Sequence, residues 1–279
     1  MLGAIIGDIV GSRFEFNNHR SKEFELFTTD CAVTDDTVMT LAVAKAIMET
    51  ELQTHLFTDQ NTVDRDCLGV LSALTMQYMQ ELGRRYPNVS YGGKFSDWLF
   101  SNEPQPYHSF GNGAAMRVSP AGFIARNLTE VASLSAAVTS VTHNHPEGLK
   151  GAEATVVAIF LAREGATKDE IRKTIEEKYY PLDFSIDEIR PGFRFDETCQ
   201  GTVPQAIQAF LESDSFEDSI RITISLGGDS DTIAAITGAI AQAYYGIPDD
   251  IHNKALSFLN DDLRAIFNAW EDFAGLCFE

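Results

Sequence analysis

Read along its length, the chain shows apolar positions recurring at helical spacing, with little strict alternation. Thr37 to Met48 (TVMTLAVAKAIM) is an apolar, alanine-rich helix that begins just after Asp35-Asp36. Cys67 to Leu82 is amphipathic, and Glu130 to Val141 and Glu147 to Arg163 are further helices. Pro146 suits the first helical position, and Glu147 stands in the first turn where the helix dipole favours it. Thr167-Lys168-Asp169-Glu170 reads as a capping box opening a helix to about Lys178. Pro204 opens a helix over Val203 to Leu211. Phe216 to Leu226 is another, although Ile220 to Leu226 (IRITISL) also suits a strand by its β-branched content. Thr232 to Tyr245 follows, with Gly246 as its C-terminal cap, and Pro248 with Asp249 and Asp250 opens a last pair of helices. Pro181, Pro191, Gly192 and Gly201 mark Tyr179 to Gly201 as an irregular surface excursion. In the apolar N-terminal segment, Gly3, Gly7 and Gly11 recur every four residues, a stripe along which a second backbone can come close. No internal repeat or low-complexity linker interrupts residues 1–279, so the pattern predicts one all-α domain.

Composition narrows the function. The net charge of −20, from 41 acidic and 21 basic residues, carries no overall basic footprint for nucleic acid or an anionic membrane. An anionic ligand would have to be met locally, by metal, by single Arg or Lys side chains, or by helix N-termini. Cys31, Cys67, Cys199 and Cys277 form no CxxC pair, and reduced thiols in a cytoplasmic protein are expected. The start MLGAIIGDIV lacks a basic n-region and is interrupted by Asp8, which does not fit a signal peptide. No apolar run is long enough to span a bilayer.

Two acidic motifs carry the chemistry. Thr34-Asp35-Asp36-Thr37 and Gly227-Gly228-Asp229-Ser230-Asp231-Thr232 each gather carboxylates and hydroxyls with no Lys or Arg beside them. Both sit where helices begin, and either alone would serve as an N-cap with first-turn acids. A cap needs one oxygen, however, and each motif offers three or more. If the two meet in space, a hard divalent cation such as Mg2+ or Mn2+ is the natural neutraliser. An EF-hand beginning at Asp229 fails, because Ala234 and Ile240 stand where Gly and Glu are required. A phosphatase with an Asp-x-Asp-x-Thr nucleophile motif is a weak fit, since Ile233 takes the last position.

Other segments offer binding groups. Asp8 and Glu15 lie in or beside the apolar N-terminal segment, where burial at a site competes with ordinary capping or surface roles. The glycine-rich patches Tyr91-Gly92-Gly93-Lys94-Phe95 and Phe110 to Arg117 expose backbone N–H groups suited to phosphate oxygens, and Arg117 adds a charged donor. They match neither the P-loop nor the dinucleotide fingerprint. His143-Asn144-His145 precedes a helix start and suits capping, core packing or hydrogen bonding to a ligand, rather than zinc. Cys199 reads as a structural buried thiol.

In order, GDIVGSRFE (7–15), TDDT (34–37), YGGKFSDWL (91–99), FGNGAAMRVSP (110–120), THNHPEG (142–148) and LGGDSDTIAAITGAIAQAYYG (226–246) closely resemble the motifs of the ADP-ribosylglycohydrolase family. That family includes the dinitrogenase reductase-activating glycohydrolases and the ADP-ribosyl-acceptor hydrolases of eukaryotes. The resemblance implies a compact all-α orthogonal bundle with a binuclear Mg2+ or Mn2+ centre in a cleft. By motif match, Thr34, Asp35, Asp36, Asp229, Asp231 and Thr232 are its expected ligands, and Asp35 or Asp36 activates or orients the water. Glu15 matches a mobile acidic residue that approaches the metals and the substrate. Gly92, Gly93, Phe110, Gly111, Asn112, Gly113, His143 and His145 are the expected contacts to ADP-ribose. Ala114 departs from the Ser or Gly of many members, and Asn144 from the Ser of some, which bears on the acceptor rather than on the metal. The implied activity is hydrolysis at C1″ of an ADP-ribosylated protein side chain, nucleic acid or small molecule. A non-catalytic ADP-ribose-binding protein on the same fold is the alternative, and a phosphatase-like hydrolase a weaker one.

Overall fold

The structure, a computed structural model, describes residues 1–57 and 63–277, the last two by backbone alone. It is all-α. The helices are α1 Leu2–Gly11, α2 Asp35–Thr54, α3 Arg65–Arg85, α4 Gly93–Phe100, α5 Gly113–Met116, α6 Ser119–Ile124, α7 Leu128–Thr139, α8 Pro146–Arg163, α9 Lys168–Lys178, α10 Ile186–Ile189, α11 Cys199–Glu212, α12 Phe216–Leu226, α13 Ser230–Tyr245, α14 Asp249–Leu256 and α15 Asp261–Cys277. The one β feature among the described residues is an isolated antiparallel bridge between Gly111 and Thr198.

At the centre lies α13, buried continuously from Ser230 to Ala241 and surrounded by α1, α8, α11 and α12. α1 is buried along its whole length. Such all-round burial explains why both helices read as apolar on every face rather than amphipathic. The glycine stripe is the contact between them. A Cβ on Gly3 would lie 2.0 Å from Gly238 O, one on Gly7 2.0 Å from Ala234 O, and one on Gly11 2.4 Å from Asp231 Cα. Only residues without a side chain allow the two backbones this close.

Local signals set most helix ends as expected. Thr167 and Glu170 complete the capping box of α9, Pro146 takes the first position of α8, and Gly246 ends α13 at φ 74°. Pro204 does not open its helix. α11 starts five residues earlier, where Thr198 Oγ1 accepts from Gly201 N. The proline ring removes one helical donor, but the carbonyl four residues back belongs to exposed Gln200 and can meet water. Ile220–Leu226 is helical, because Ser215 caps Asp218 N and starts the turn. The Tyr179–Gly201 excursion is irregular apart from α10, which Ser185 and Glu188 hold with a capping box, and the first turn of α11. Cys31, Cys67 and Cys199 are free thiols, and the Cys277 side chain lies outside the described residues. Among the described residues no helix is long and apolar enough to cross a membrane.

Two alanine substitutions should move stability in opposite directions. Gly7→Ala forces α1 from α13 and should lower unfolding free energy by about 2 kcal/mol or more. Gly69→Ala, in α3 with nothing within 4 Å, should raise it by about 0.5–1 kcal/mol. Urea denaturation of the two variants reads both.

Candidate metal centre and cleft

The α1–α13 contact places Asp8 opposite the start of α2. Its buried carboxylate accepts four hydrogen bonds: from Thr34 N (3.0 Å) and Thr34 Oγ1 (2.6 Å), from Thr37 N (3.1 Å) and from Thr37 Oγ1. Asp8 thereby fixes the first turn of α2, with Asp35 and Asp36 on it. The peptide N–H of Asp35 also donates to Val89 O at 2.9 Å, tying this turn to the Tyr91-Gly92-Gly93 segment. From the other side, Thr232 Oγ1 on α13 donates to Asp36 Oδ2 at 3.1 Å. Neither Thr34 nor Asp229, the residues before α2 and α13, spends its side chain on a cap. The capping explanation of the two motifs therefore fails, and their oxygens face each other.

Two overlapping groups result. Asp8, Asp36 and Asp231 each bring one carboxylate oxygen within 4.8 Å of the others, and so do Glu15, Asp229 and Asp231. Asp229 is held by Asn112, whose Nδ2 donates to Oδ2 at 2.6 Å and to Thr202 Oγ1 at 3.0 Å. Gly227 and Gly228, at φ 72° and 78°, turn the chain into this loop. Asn18 fastens the loop to the Glu15 segment. Its Oδ1 accepts from Gly228 N, and its Nδ2 lies within bonding distance of the carbonyls of Phe14, Glu15 and Gly228. Arg20 adds bonds to Leu226 O (2.7 Å), to Phe193 O (2.8 Å) and to Arg190 O.

The electrostatics are one-sided. Burial, and then the charge of Asp8, push Asp35 and Asp36 well above the usual carboxylate range. Burial, and then Asp36, do the same to Asp231. Asp8 and Asp229 are raised by burial against the pull of their hydrogen bonds. Glu15 is raised to about 7 by burial and by the charge of Asp229. Among the described residues no Lys or Arg pairs with any of these carboxylates. The N-terminal ends of α2 and α13 offset only part of the repulsion. The residues fit a hard divalent cation: every donor is a carboxylate or hydroxyl oxygen, and Asp36 Oδ1 is buried without a hydrogen-bond partner.

The acidic groups line a cleft of about 280 Å³. Glu15, Asp35, Asp36, Asp229, Asp231 and Thr232 line it, and so do Gly92, Gly93, Gly111, Asn112, Gly113 and His143. Thr34 lies behind them, bonded to Asp8. Two predicted contacts fall elsewhere. His145 caps α8, its Nδ1 accepting from Glu147 N at 3.0 Å, and packs against Phe110 with ring centroids 5.2 Å apart. Neither residue is among the cleft lining, and the cap holds His145 at the start of α8. Asn112 lines the cleft with its Nδ2 engaged by Asp229 and Thr202.

Sequence reasoning left the decision on Asp8 open, although a lone carboxylate in an apolar helix was its signal. It missed Glu197, Ser90, Tyr107 and Ser109, all on the cleft wall. Glu197 arrives through the Gly111–Thr198 bridge, where its carbonyl accepts from Asn112 N at 2.7 Å. Ser90 adopts φ 72°, unusual for a side-chain-bearing residue. No local pattern announces either.

Comparison with known proteins gives a consistent picture. A family model for ADP-ribosylglycohydrolases matches residues 1–276. ADP-ribosylhydrolase ARH3 of Xenopus tropicalis is 25% identical over 312 residues, covering 88% of this chain and 86% of its own. ADP-ribosylarginine hydrolase Tri1 of Pseudomonas putida (strain GB-1) is 26% identical over 275 residues, covering 88% of this chain and 70% of its own. A solved structure described as an ADP-ribosylglycohydrolase-related protein complex superposes with a TM-score of 0.68 at 22% identity, covering 98% of this chain and 95% of that one, and so shares the fold.

The one-sided charge sets a pH dependence. A carboxylate raised on folding stabilises fully below its unfolded pKa and loses that contribution as pH climbs through the folded value. For Glu15 the window runs from 4.5 to about 7, and the buried aspartates add losses in the same direction. In EDTA, melting temperature should therefore fall as pH rises across this window. Millimolar Mg2+ or Mn2+ should restore it at neutral pH, as calorimetry will read.

Proposed function

The chain belongs to the ADP-ribosylglycohydrolase family, and on that premise we propose that it hydrolyses the C1″ glycosidic bond of ADP-ribosylated acceptors, releasing ADP-ribose. The observation that carries the reading is the set of carboxylates gathered at two converging helix starts, none paired with a Lys or Arg among the described residues, in a cleft that the glycine-rich segments also line. The names of the relatives, ADP-ribosylhydrolase and ADP-ribosylarginine hydrolase, point to the same bond class.

In this reading Thr34, Asp35, Asp36, Asp229, Asp231 and Thr232 hold two divalent cations, Mg2+ or Mn2+, and Asp8 keeps the α2 side of the set in place. The cations supply Lewis acidity and charge neutralisation when bound. The chain's own groups do the rest. Asp35 or Asp36 orients a water toward C1″ and takes its proton. The water oxygen forms a bond to C1″ as the bond from C1″ to the acceptor breaks. The carboxylates stabilise the positive charge that develops on the sugar. Glu15, with a carboxyl raised to about 7, is matched to proton exchange near neutrality and delivers a proton to the departing acceptor. Gly92, Gly93, Gly111 and Gly113 let the pyrophosphate approach the backbone, and His143 faces it from behind the loop. Phe110 and His145 form an aromatic ledge outside the cleft.

The test is release of free ADP-ribose from arginine-, serine- and nucleic-acid-linked substrates with Mg2+ or Mn2+ and with EDTA. Metal-dependent release from at least one linkage is expected, and Asp36→Ala and Asp231→Ala should each lower it at least about a hundredfold. Tight ADP-ribose binding with no release from any linkage would favour the binding-protein reading instead.

A further inference from the structure

Behind the glycine loop, two donors converge on one atom. Arg117 is buried (1% exposed), and its Nη2 lies 2.5 Å from Thr142 Oγ1 and 3.3 Å from His143 Nδ1. Thr142 Oγ1 lies 2.7 Å from the same Nδ1. A guanidinium has no acceptor, so Arg117 must donate in both contacts. The threonine hydroxyl accepts from Arg117, which directs its own hydrogen to His143 Nδ1. That atom must therefore present a lone pair, and the ring proton belongs on Nε2.

Nε2 is the end that faces the cleft. His143 is 4% exposed, and Nε2 has no protein hydrogen-bond partner among the described residues. A Cβ on Gly113 or Gly111 would lie 3.4 or 3.5 Å from it. The missing side chains leave the nitrogen uncovered.

We infer that Thr142 and Arg117 are positioning residues that lock His143 in its Nε2–H tautomer, making it an obligate hydrogen-bond donor to an anionic oxygen seated over Gly111 to Gly113. Resting on the function proposed above, that oxygen belongs to the ADP-ribose pyrophosphate. Burial and the Arg117 charge hold the His143 pKa well below the usual histidine value, in keeping with a neutral ring. The Arg117 guanidinium, lowered to about 10 by burial, stays protonated near neutrality. It makes no carboxylate pair among the described residues and so remains a counter-charge for the anion.

The relay can be read without turnover. In 15N-histidine-labelled protein, with the His143 signals identified by their loss in His143→Gln, Nδ1 should resonate as the bare nitrogen and Nε2 as the protonated one. Thr142→Val removes the nearer donor, so the ring should become a mixture of tautomers. ADP-ribose affinity, by calorimetry, should fall between about three- and tenfold. Thr142→Ser should restore both. A proton on Nδ1 in the wild type would overturn the inference, as would Thr142→Val that folds with tautomer or affinity unchanged. If Thr142→Val does not fold, the wild-type and Thr142→Ser spectra decide. A wild type that shows the tautomer but binds no ADP-ribose would overturn the proposed function instead.

Discussion

Everything in the site depends on how closely the backbone of α1 approaches that of α13. The distance is set by four glycines, Gly3, Gly7 and Gly11 of α1 and Gly238 of α13, rather than by side-chain packing, so it has little freedom to adjust. It fixes Asp8 at a point where its carboxylate meets two amides and two hydroxyls of the α2 start. The acidic turn of α2 is thus referenced to α13 through α1, and Thr232 closes the triangle by bonding Asp36 directly. Three helices from distant parts of the chain position the carboxylates by backbone geometry and short polar contacts. Among the described residues, no ion pair takes part.

That arrangement concentrates like charge in a dry place, which folding alone would disfavour. The cost is offset by the apolar packing of the same helices, in which Leu2, Ala4, Ile5, Ile6, Ile9 and Val10 of α1 and Ile233, Ala234, Ala235, Ile236, Ala239, Ile240 and Ala241 of α13 are all buried. A protein concerned only with stability would replace these aspartates with apolar or paired residues. The other elements of the chain follow local rules of capping and patterning. The rules break at the acidic cluster, where a site that needs an outside partner is expected to break them.

The parts that were legible in the sequence share a property: their signal is short in range. The two acidic motifs were readable because each offers more oxygens than a cap uses, and the glycine stripe because its period matches a helix face. Thr167 to Glu170 and Gly246 are complete within one turn. What was not legible depends on partners far away. The importance of Asp8 lies in Thr34 and Thr37, and Glu197 reaches the cleft through a single bridge to Gly111. His143 and His145 differ although both stand in one short motif, since His143 lines the cleft while His145 caps α8 outside its lining. Ile220 to Leu226 was ambiguous because β-branched residues suit a strand and a buried helix alike. The one-turn helices α5 and α10 are too short for periodicity to show.

The cleft brings together groups of opposite need. Its carboxylates favour cations. On the function proposed above, the glycine loop, His143 and the charge of Arg117 behind them would receive an anion. In a chain of net charge −20, an anionic ligand approaching the loop would be repelled by the carboxylates lining the same cleft. Any cation that neutralises the carboxylates removes that repulsion and so strengthens anion binding. By linkage the anion must then strengthen cation binding to the same degree. Such coupling needs no conformational change. It follows from placing both sets of groups around about 280 Å³ of shared space, where charges are poorly screened. On that function, the acidity that leaves no basic footprint for nucleic acid or an anionic membrane would at this one place make anion binding conditional on a cation.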